Sequence, residues 1–221
     1  MRHWLTPVRT FLAAGFLTAQ PAMACETALV LTIDVSGSID FGEYLIQAEG
    51  IADALTDPEV AEMLEIGQVA LAVVQWSGAG QQHLSIPWRR MLNAGEIAGF
   101  AGRVRAMPRA FQGSDTAVGE AVEFSLGLFE QVSDCRRKTI DISGDGPSNS
   151  SIHPSGPRMK AEAMGVFVNG VAIESIGRSI SEFYRRFVIT DGGFVMSAEG
   201  HSQYARTIRA KILRELAQPI G

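Results

Sequence analysis

Thr27-Ala-Leu-Val-Leu-Thr-Ile-Asp34, followed at once by Val35-Ser36-Gly37-Ser38, is the stretch that decides the reading of this chain. A near-continuous apolar, β-branched run ending on an acid suits a central strand buried on both faces of a parallel sheet. Downstream, Asp40-Phe-Gly-Glu43 carries the pattern of a helix-start capping box, and an amphipathic helix follows to about Leu55, before a turn at Asp57-Pro58. Gln68 to Trp76 reads as a second strand. Beyond the Gly78/Gly80 turn, Gln82 to Trp88 reads as a third, antiparallel to the second. Ala94 to Ala106 and Thr116 to Gln131 read as helices, the latter with Val118, Val122, Leu126 and Phe129 on one face. Lys138 to Ser143 is a strand that runs into the turn Gly144-Asp145-Gly146-Pro147. Helices at Met159–Met164, Ser179–Phe187 and Ser202–Leu216 then alternate with strands at Val166–Ile173 and Phe194–Met196. Alternation of this kind predicts an α/β fold: a doubly wound, mainly parallel sheet with one antiparallel edge strand and helices on both faces.

Upstream of the first strand the chain has a different character. Residues 1–24 hold Arg2, His3 and Arg9, then the apolar run Phe11 to Leu17, then Ala22-Met23-Ala24. A basic start, a short apolar core and a small-x-small cleavage site predict a secretory signal peptide, and the apolar run is well short of the ~20 residues of a membrane span. The expected organisation is therefore a leader over 1–24 and one domain over 25–221, periplasmic or secreted, with no transmembrane segment in the mature chain. Arg2 and Arg9 leave with a leader that carries no acid, so the formal charge moves from −5 to −7. That acidity argues against nucleic acid as a partner, since phosphate binding needs basic patches. It suits a protein that recruits cations at chosen carboxylates.

In doubly wound sheets, ligands bind beyond the carboxyl ends of the strands. Three loops there are unusual: Asp34-Val-Ser36-Gly-Ser38 after the first strand, Gly113-Ser-Asp-Thr116 before a helix, and Ser143-Gly-Asp145-Gly146 after the fourth strand. All three offer oxygen and none offers sulfur, the donor set that hard divalent ions such as Mg²⁺ prefer. Gly37 between the serines permits the tight turn that aims alternate side chains at one point. Each loop alone has a plain explanation as a helix cap or turn. Their joint occurrence at the ends of the right elements points to a metal site.

The constellation resembles the metal-ion-dependent adhesion site of von Willebrand factor A domains: Asp-x-Ser-x-Ser after the first strand, a distant Thr, and an Asp before Gly. More narrowly, Leu31 to Ser38, Gln75-Trp76-Ser77, Pro87-Trp88 and Asp141 to Gly146 look like a family of exported bacterial proteins of unknown function with this fold. The resemblance implies direct ligation by Ser36, Ser38 and Thr116, with Asp34 and Asp145 binding directly or through water. It implies Mg²⁺, with Mn²⁺ or Ca²⁺ as alternatives, and a protein partner that completes the shell with its own Asp or Glu. Gly37, Asp115 and Gly146 stand around these ligands. Asp115 departs from the usual small or uncharged residue at that place.

Two cysteines give an independent expectation. Cys25 lies nine residues before Asp34 and Cys135 lies ten before Asp145. If both acids cap adjacent parallel strands, both cysteines sit near the opposite end, about 4.8 Å apart and within disulfide reach. Export favours that bond. The alternative, a lipid on Cys25, usually requires Leu where Ala22 stands.

Two functions compete for the metal. One is a binding, adhesion-type module. The other is a hydrolase of phosphate or carboxyl esters, which needs a general base near the ion, and only Asp115 and His153 are candidates. Nucleotide binding is excluded by motif: neither Gly-x-Gly-x-x-Gly nor Gly-x-x-x-x-Gly-Lys follows a strand. Trp76 and Trp88 are expected to pair across the hairpin, Arg136-Arg137 to be a solvated or salt-bridged surface, and Arg185-Arg186 to be similarly a helix face.

Overall fold

The computed structural model describes residues 25–113, 115–149, 152–175, 177 and 179–217. The expected leader over 1–24 lies outside them. The element order is β1 (Thr27–Asp34), α1 (Phe41–Thr56), α2 (Pro58–Ile66), β2 (Ala70–Trp76), β3 (Gln82–Arg90), α3 (Ala94–Arg105), α4 (Val118–Leu128), β4 (Arg137–Gly144), α5 (Ser155–Ala163), β5 (Val166–Glu174), α6 (Ser179–Phe187), β6 (Val195–Glu199) and α7 (Tyr204–Leu216). Short 3₁₀ turns follow α4 at Phe129–Val132 and precede α7 at His201–Gln203. The strands form one sheet in the order β3-β2-β1-β4-β5-β6, parallel except for β3. The doubly wound sheet with an antiparallel edge is as the sequence predicts. Strand order reverses between β1 and β4, so the crevice for a ligand opens above Asp34 and Gly144.

The period-2 alternation of β1 divides the core in two. Leu29, Leu31 and Ile33 face α1, α2, α3 and α7, and pack with Ile51, Leu64, Phe100 and Ile208. Ala28 and Val30 face α4, α5 and α6, and pack with Val122, Phe129, Ile142 and Tyr184. All eight residues of β1 are buried, which explains why its sequence has no polar face.

Helix α1 starts with the predicted capping box: Asp40 Oδ1 accepts from Glu43 N–H, and Glu43 Oε2 accepts from Asp40 N–H, both at 2.8 Å. The segment after it corrects the sequence reading. Asp57-Pro58 opens a second helix, with Asp57 as its N-cap accepting from Glu59 and Val60 and Pro58 in its first turn. Proline lacks only an N–H that the first helical turn leaves free anyway. Other boundaries move as well: α4 begins at Val118, leaving Thr116 in the preceding loop, α5 begins at Ser155, and β6 runs on to Glu199. The tryptophans do not pair. In the β2/β3 register Trp76 stands opposite Gln82. Trp88 instead packs on Phe129, ring centroids 5.7 Å apart, and its Nε1–H donates to Leu128 O. At the base of β4, the half-buried Arg137 places its guanidinium 4.5 Å above the Phe167 ring.

Below β1 and β4 the ladder continues into the preceding residues, Arg136 N–H donating to Cys25 O and Arg137 N–H to Glu26 O. This register brings Cys25 and Cys135 to a Cα separation of 4.4 Å, and they form the expected disulfide.

On the opposite layer, Lys211 of α7 is fully buried against β4 and β5. Its Nζ lies 2.6 Å from Asp141 Oδ1 and from Glu215 Oε1. Asn169 Nδ2 donates to Glu215 Oε1, and Asn169 Oδ1 accepts from Phe194 N–H. Burial pushes the Asp141 carboxyl up against the pull of the Lys211 ammonium. Removing the cation alone would strand two buried carboxylates. Lys211→Met is therefore expected to lower stability by about 3 kcal/mol or more, and Lys211→Met with Asp141→Leu and Glu215→Met to recover most of it. Urea unfolding of both variants measures this; a single variant as stable as wild type contradicts it.

Candidate metal centre

The last residue of β1, Asp34, is held between its neighbours. Val35 N–H donates to Trp76 O on one side, and Ile33 pairs with Ser143 on the other. Its side chain is completely buried. Oδ1 accepts the Ser36 N–H at 2.8 Å and so closes the turn of the motif. Oδ2 is buried with no hydrogen-bond partner among the described residues. Burial raises the Asp34 pKa to about 7 and the Asp145 charge adds to it, while the Ser36 hydrogen bonds and, more weakly, the Asp145 backbone N–H oppose this.

Above Asp34 the three predicted loops meet. Ser36 Oγ is 3.3 Å from Ser38 Oγ. Thr116 Oγ1 donates to Ser36 Oγ at 3.4 Å, and Ser38 Oγ donates to Asp145 Oδ1 at 2.6 Å. All five predicted ligands are thus brought together. Asp34 and Ser36 are buried, Asp145 is partly exposed and Ser38 is exposed, so the cluster has a closed floor and an open top. Among the described residues, no group of three or more His, Cys, Asp or Glu is placed to hold a metal ion. Any cation here would meet two carboxylates and three neutral hydroxyls.

Of the neighbours predicted to shape the site, Gly146 lies close to Thr116: a Cβ there would stand 3.8 Å from its side chain. Gly37 is exposed at the turn between the serines. Asp115 is also exposed, and its backbone carbonyl accepts from Ser77 Oγ at 3.5 Å. His153 stacks edge-on against Phe187 at 4.9 Å, and its Nδ1 accepts from Ser155 N–H. Neither proposed base belongs to the converging oxygens. His201 joins Glu43 at 3.1 Å, and His83 is exposed on β3.

Four contributors escaped the sequence. Arg109 inserts one nitrogen, Nη2, among the carbonyls of Val35, Ser36 and Ile39 at 2.9, 3.0 and 2.8 Å. With the carbonyls turned toward Arg109, the hydroxyls of the same turn face the cluster. Asn149 clamps the second loop: its Oδ1 accepts from Thr116 N–H, and its N–H donates to Thr116 O. Gly144 has no room for a side chain, because a Cβ would stand 2.9 Å from Asp34 Oδ2 and 2.6 Å from the Tyr184 hydroxyl. That hydroxyl, from α6, is buried beneath the site, and burial together with the charges of Asp34 and Asp145 raises its pKa well above normal. Only Gly144, inside a turn signal, had any local pattern; the others act across long stretches of chain.

The fold is similar to that of proximal thread matrix protein 1 of the mussel byssus, at 18% identity and a TM-score of 0.67, over 88% of this chain and 48% of that one. Another structure of that protein, described as having a zinc occupied MIDAS motif, matches at 16% identity and a TM-score of 0.64, over 88% and 46%. A von Willebrand factor type A structure from Catenulispora acidiphila matches at 16% identity and a TM-score of 0.62, over 88% and 43%. The chain spans about half or less of the length of each of these proteins. No curated protein matches the sequence. The architecture is that of a von Willebrand factor A domain. Residues 24–220 match the family described as "Protein of unknown function (DUF1194)", and the chain belongs to that family.

Proposed function

We propose that this protein is an exported, divalent-metal-dependent protein-binding module. Ser36, Ser38 and Thr116 would hold the ion through their hydroxyls, and Asp34 and Asp145 directly or through water. Support comes above all from one observation: a buried carboxylate oxygen, Asp34 Oδ2, stands unpartnered beside a convergence of hydroxyl and carboxylate oxygens. A buried charge without a partner is costly unless a cation or proton satisfies it. The donor set is all hard oxygen and suits Mg²⁺, with Mn²⁺ or Ca²⁺ as alternatives. The similar structure described as having a zinc occupied MIDAS motif supports the metal reading. When bound, the ion supplies a Lewis-acidic position open to an oxygen ligand. With an aspartate bound only through water, the ion keeps its attraction for an anionic oxygen at the open position, and an Asp or Glu of a protein partner is the fitting ligand.

Recognition is favoured over hydrolysis because, among the described residues, neither candidate base joins the converging oxygens. Asp115 is exposed, and His153 is engaged with Phe187 and Ser155. Export to the periplasm or medium after removal of residues 1–24 fits the Cys25–Cys135 disulfide. Among the described residues, no helix is long and apolar enough to cross a membrane.

Calorimetric titration with Mg²⁺ and Mn²⁺ tests the reading. One site per chain is expected, and Asp145→Ala should weaken it by about two orders of magnitude, the loss of one charged ligand. Thr116→Ala should weaken it less and leave the fold intact. Mg²⁺ at one hundred times its Kd should stabilise the wild type by about 2.7 kcal/mol. Equal affinity in wild type and Asp145→Ala would place the ion elsewhere.

A further inference from the structure

Beside the oxygen cluster lies a groove of about 640 Å³ between the metal loop, the start of α1 and the loop after α3. Gly37, which separates the two motif serines, forms part of its wall, so the groove adjoins the cluster. Ile39 and Met107 make a buried apolar floor. Phe41 and Leu45 stand at i and i+4 on one face of α1 and rim the groove at 64% and 41% exposure. Arg109 closes the groove on the side of the metal loop, bringing a positive charge to that end. Tyr44 in the same wall is fixed by donating to Met107 O at 2.6 Å.

The arrangement has a polarity. One end carries the Arg109 charge and adjoins the oxygen cluster that would hold the ion, and the other is apolar and accessible. Phe41 and Leu45 leave much of their apolar surface in water in the free chain, and each removes that surface from water once covered. A ligand that matched both ends would carry an acid and, close to it, a bulky apolar group. We propose that the groove is the second half of the docking face. It receives a Leu, Phe, Met or Trp of a protein segment whose Asp or Glu, about one to three extended residues away, reaches the metal loops. This rests on the metal-dependent reading above and adds to it the class of sequence recognised. Charge complementarity and the shared Gly37 wall favour this occupant over a purely apolar one.

The test is selection from a displayed random-peptide library on the mature chain in Mg²⁺, with elution by EDTA. Recovered sequences should pair Asp or Glu with a large apolar residue within that spacing. A fluorescent copy of one of them should bind Phe41→Ser/Leu45→Ser about tenfold or more weakly. Both positions are exposed, so that variant should bind Mg²⁺ like wild type in calorimetry, which confirms that its metal loops are intact. Acidic peptides without an apolar neighbour, undiminished binding to the double variant, or no recovered peptides would overturn the groove proposal. In those cases, normal Mg²⁺ binding by the wild type would leave the metal reading standing; no Mg²⁺ binding would end both. A wild-type dimer that Phe41→Ser/Leu45→Ser makes monomeric would identify a second copy as the occupant and also overturn the proposal.

Discussion

Asp34→Asn is expected to abolish divalent-ion binding and, at the same time, to make the metal-free protein more stable above about pH 7. The carboxyl is completely buried, and burial holds its pKa at about 7 against an ordinary 3.8. Between those values the folded chain keeps a proton that the unfolded chain has lost. Stability of the metal-free protein therefore falls as pH rises through this window, and the cost is complete above the folded pKa. Each tenfold change in the acid constant is worth about 1.4 kcal/mol, so the full cost approaches about 4 kcal/mol. Asparagine keeps the shape and the acceptor for Ser36 N–H without the charge. Thermal melts of wild type and Asp34→Asn in EDTA, from acid to alkaline pH, should diverge between about pH 4 and pH 7 in favour of the variant and keep a constant gap above. Added Mg²⁺ should reverse the order by stabilising only the wild type. A variant less stable than wild type across the range would show that the hydrogen bond to Ser36 outweighs the burial of charge.

Loss of the disulfide should have a comparable effect on stability and none on the metal. Cys25 and Cys135 close 110 residues of chain, which in the entropy model is worth about 4–5 kcal/mol. At about 2–4 °C per kcal/mol for a domain of this size, Cys25→Ser/Cys135→Ser should melt on the order of 10 °C or more below wild type. Both cysteines precede the starts of β1 and β4, whereas the oxygen cluster caps the opposite ends of the same strands. Mg²⁺ affinity measured well below the melting point should therefore be unchanged. A fall in affinity would mean that the register of β1 on β4 depends on the cross-link.

What could be read from the sequence and what could not divide along a physical line. Local signals held. The unbroken apolar run before Asp34 is a strand buried on both faces, and Asp40 with Glu43 closes a capping box. Elements whose ends are fixed by such signals also fix where their loops emerge, so the meeting of Ser36, Ser38, Thr116 and Asp145 was predictable without any long-range information. Asp57-Pro58 misled because the same dipeptide starts a turn or a helix, and the residues beyond it decide between them. Arg109 was invisible because its partners are backbone carbonyls, which every residue has. Lys211 was hidden for a related reason: in a basic amphipathic helix it looks like any solvent-facing lysine, and only Asp141 on a remote strand draws it inward. Trp76 and Trp88 lie on paired strands, but their register sets them at opposite ends of the hairpin.

Both edges of the sheet are blunted. On one side β3 has Pro87 within it, an irregular register against β2, and exposed His83 and Arg89. On the other, β6 runs for only five residues. Proline, irregular pairing, outward charge and brevity are the means by which strand borders resist taking on another chain. Partners that extend a sheet by laying a strand along its margin find no continuous row of free amides and carbonyls here. Both margins therefore disfavour pairing with a strand of another chain, and leave side chains and loop ends as the surface open to a partner.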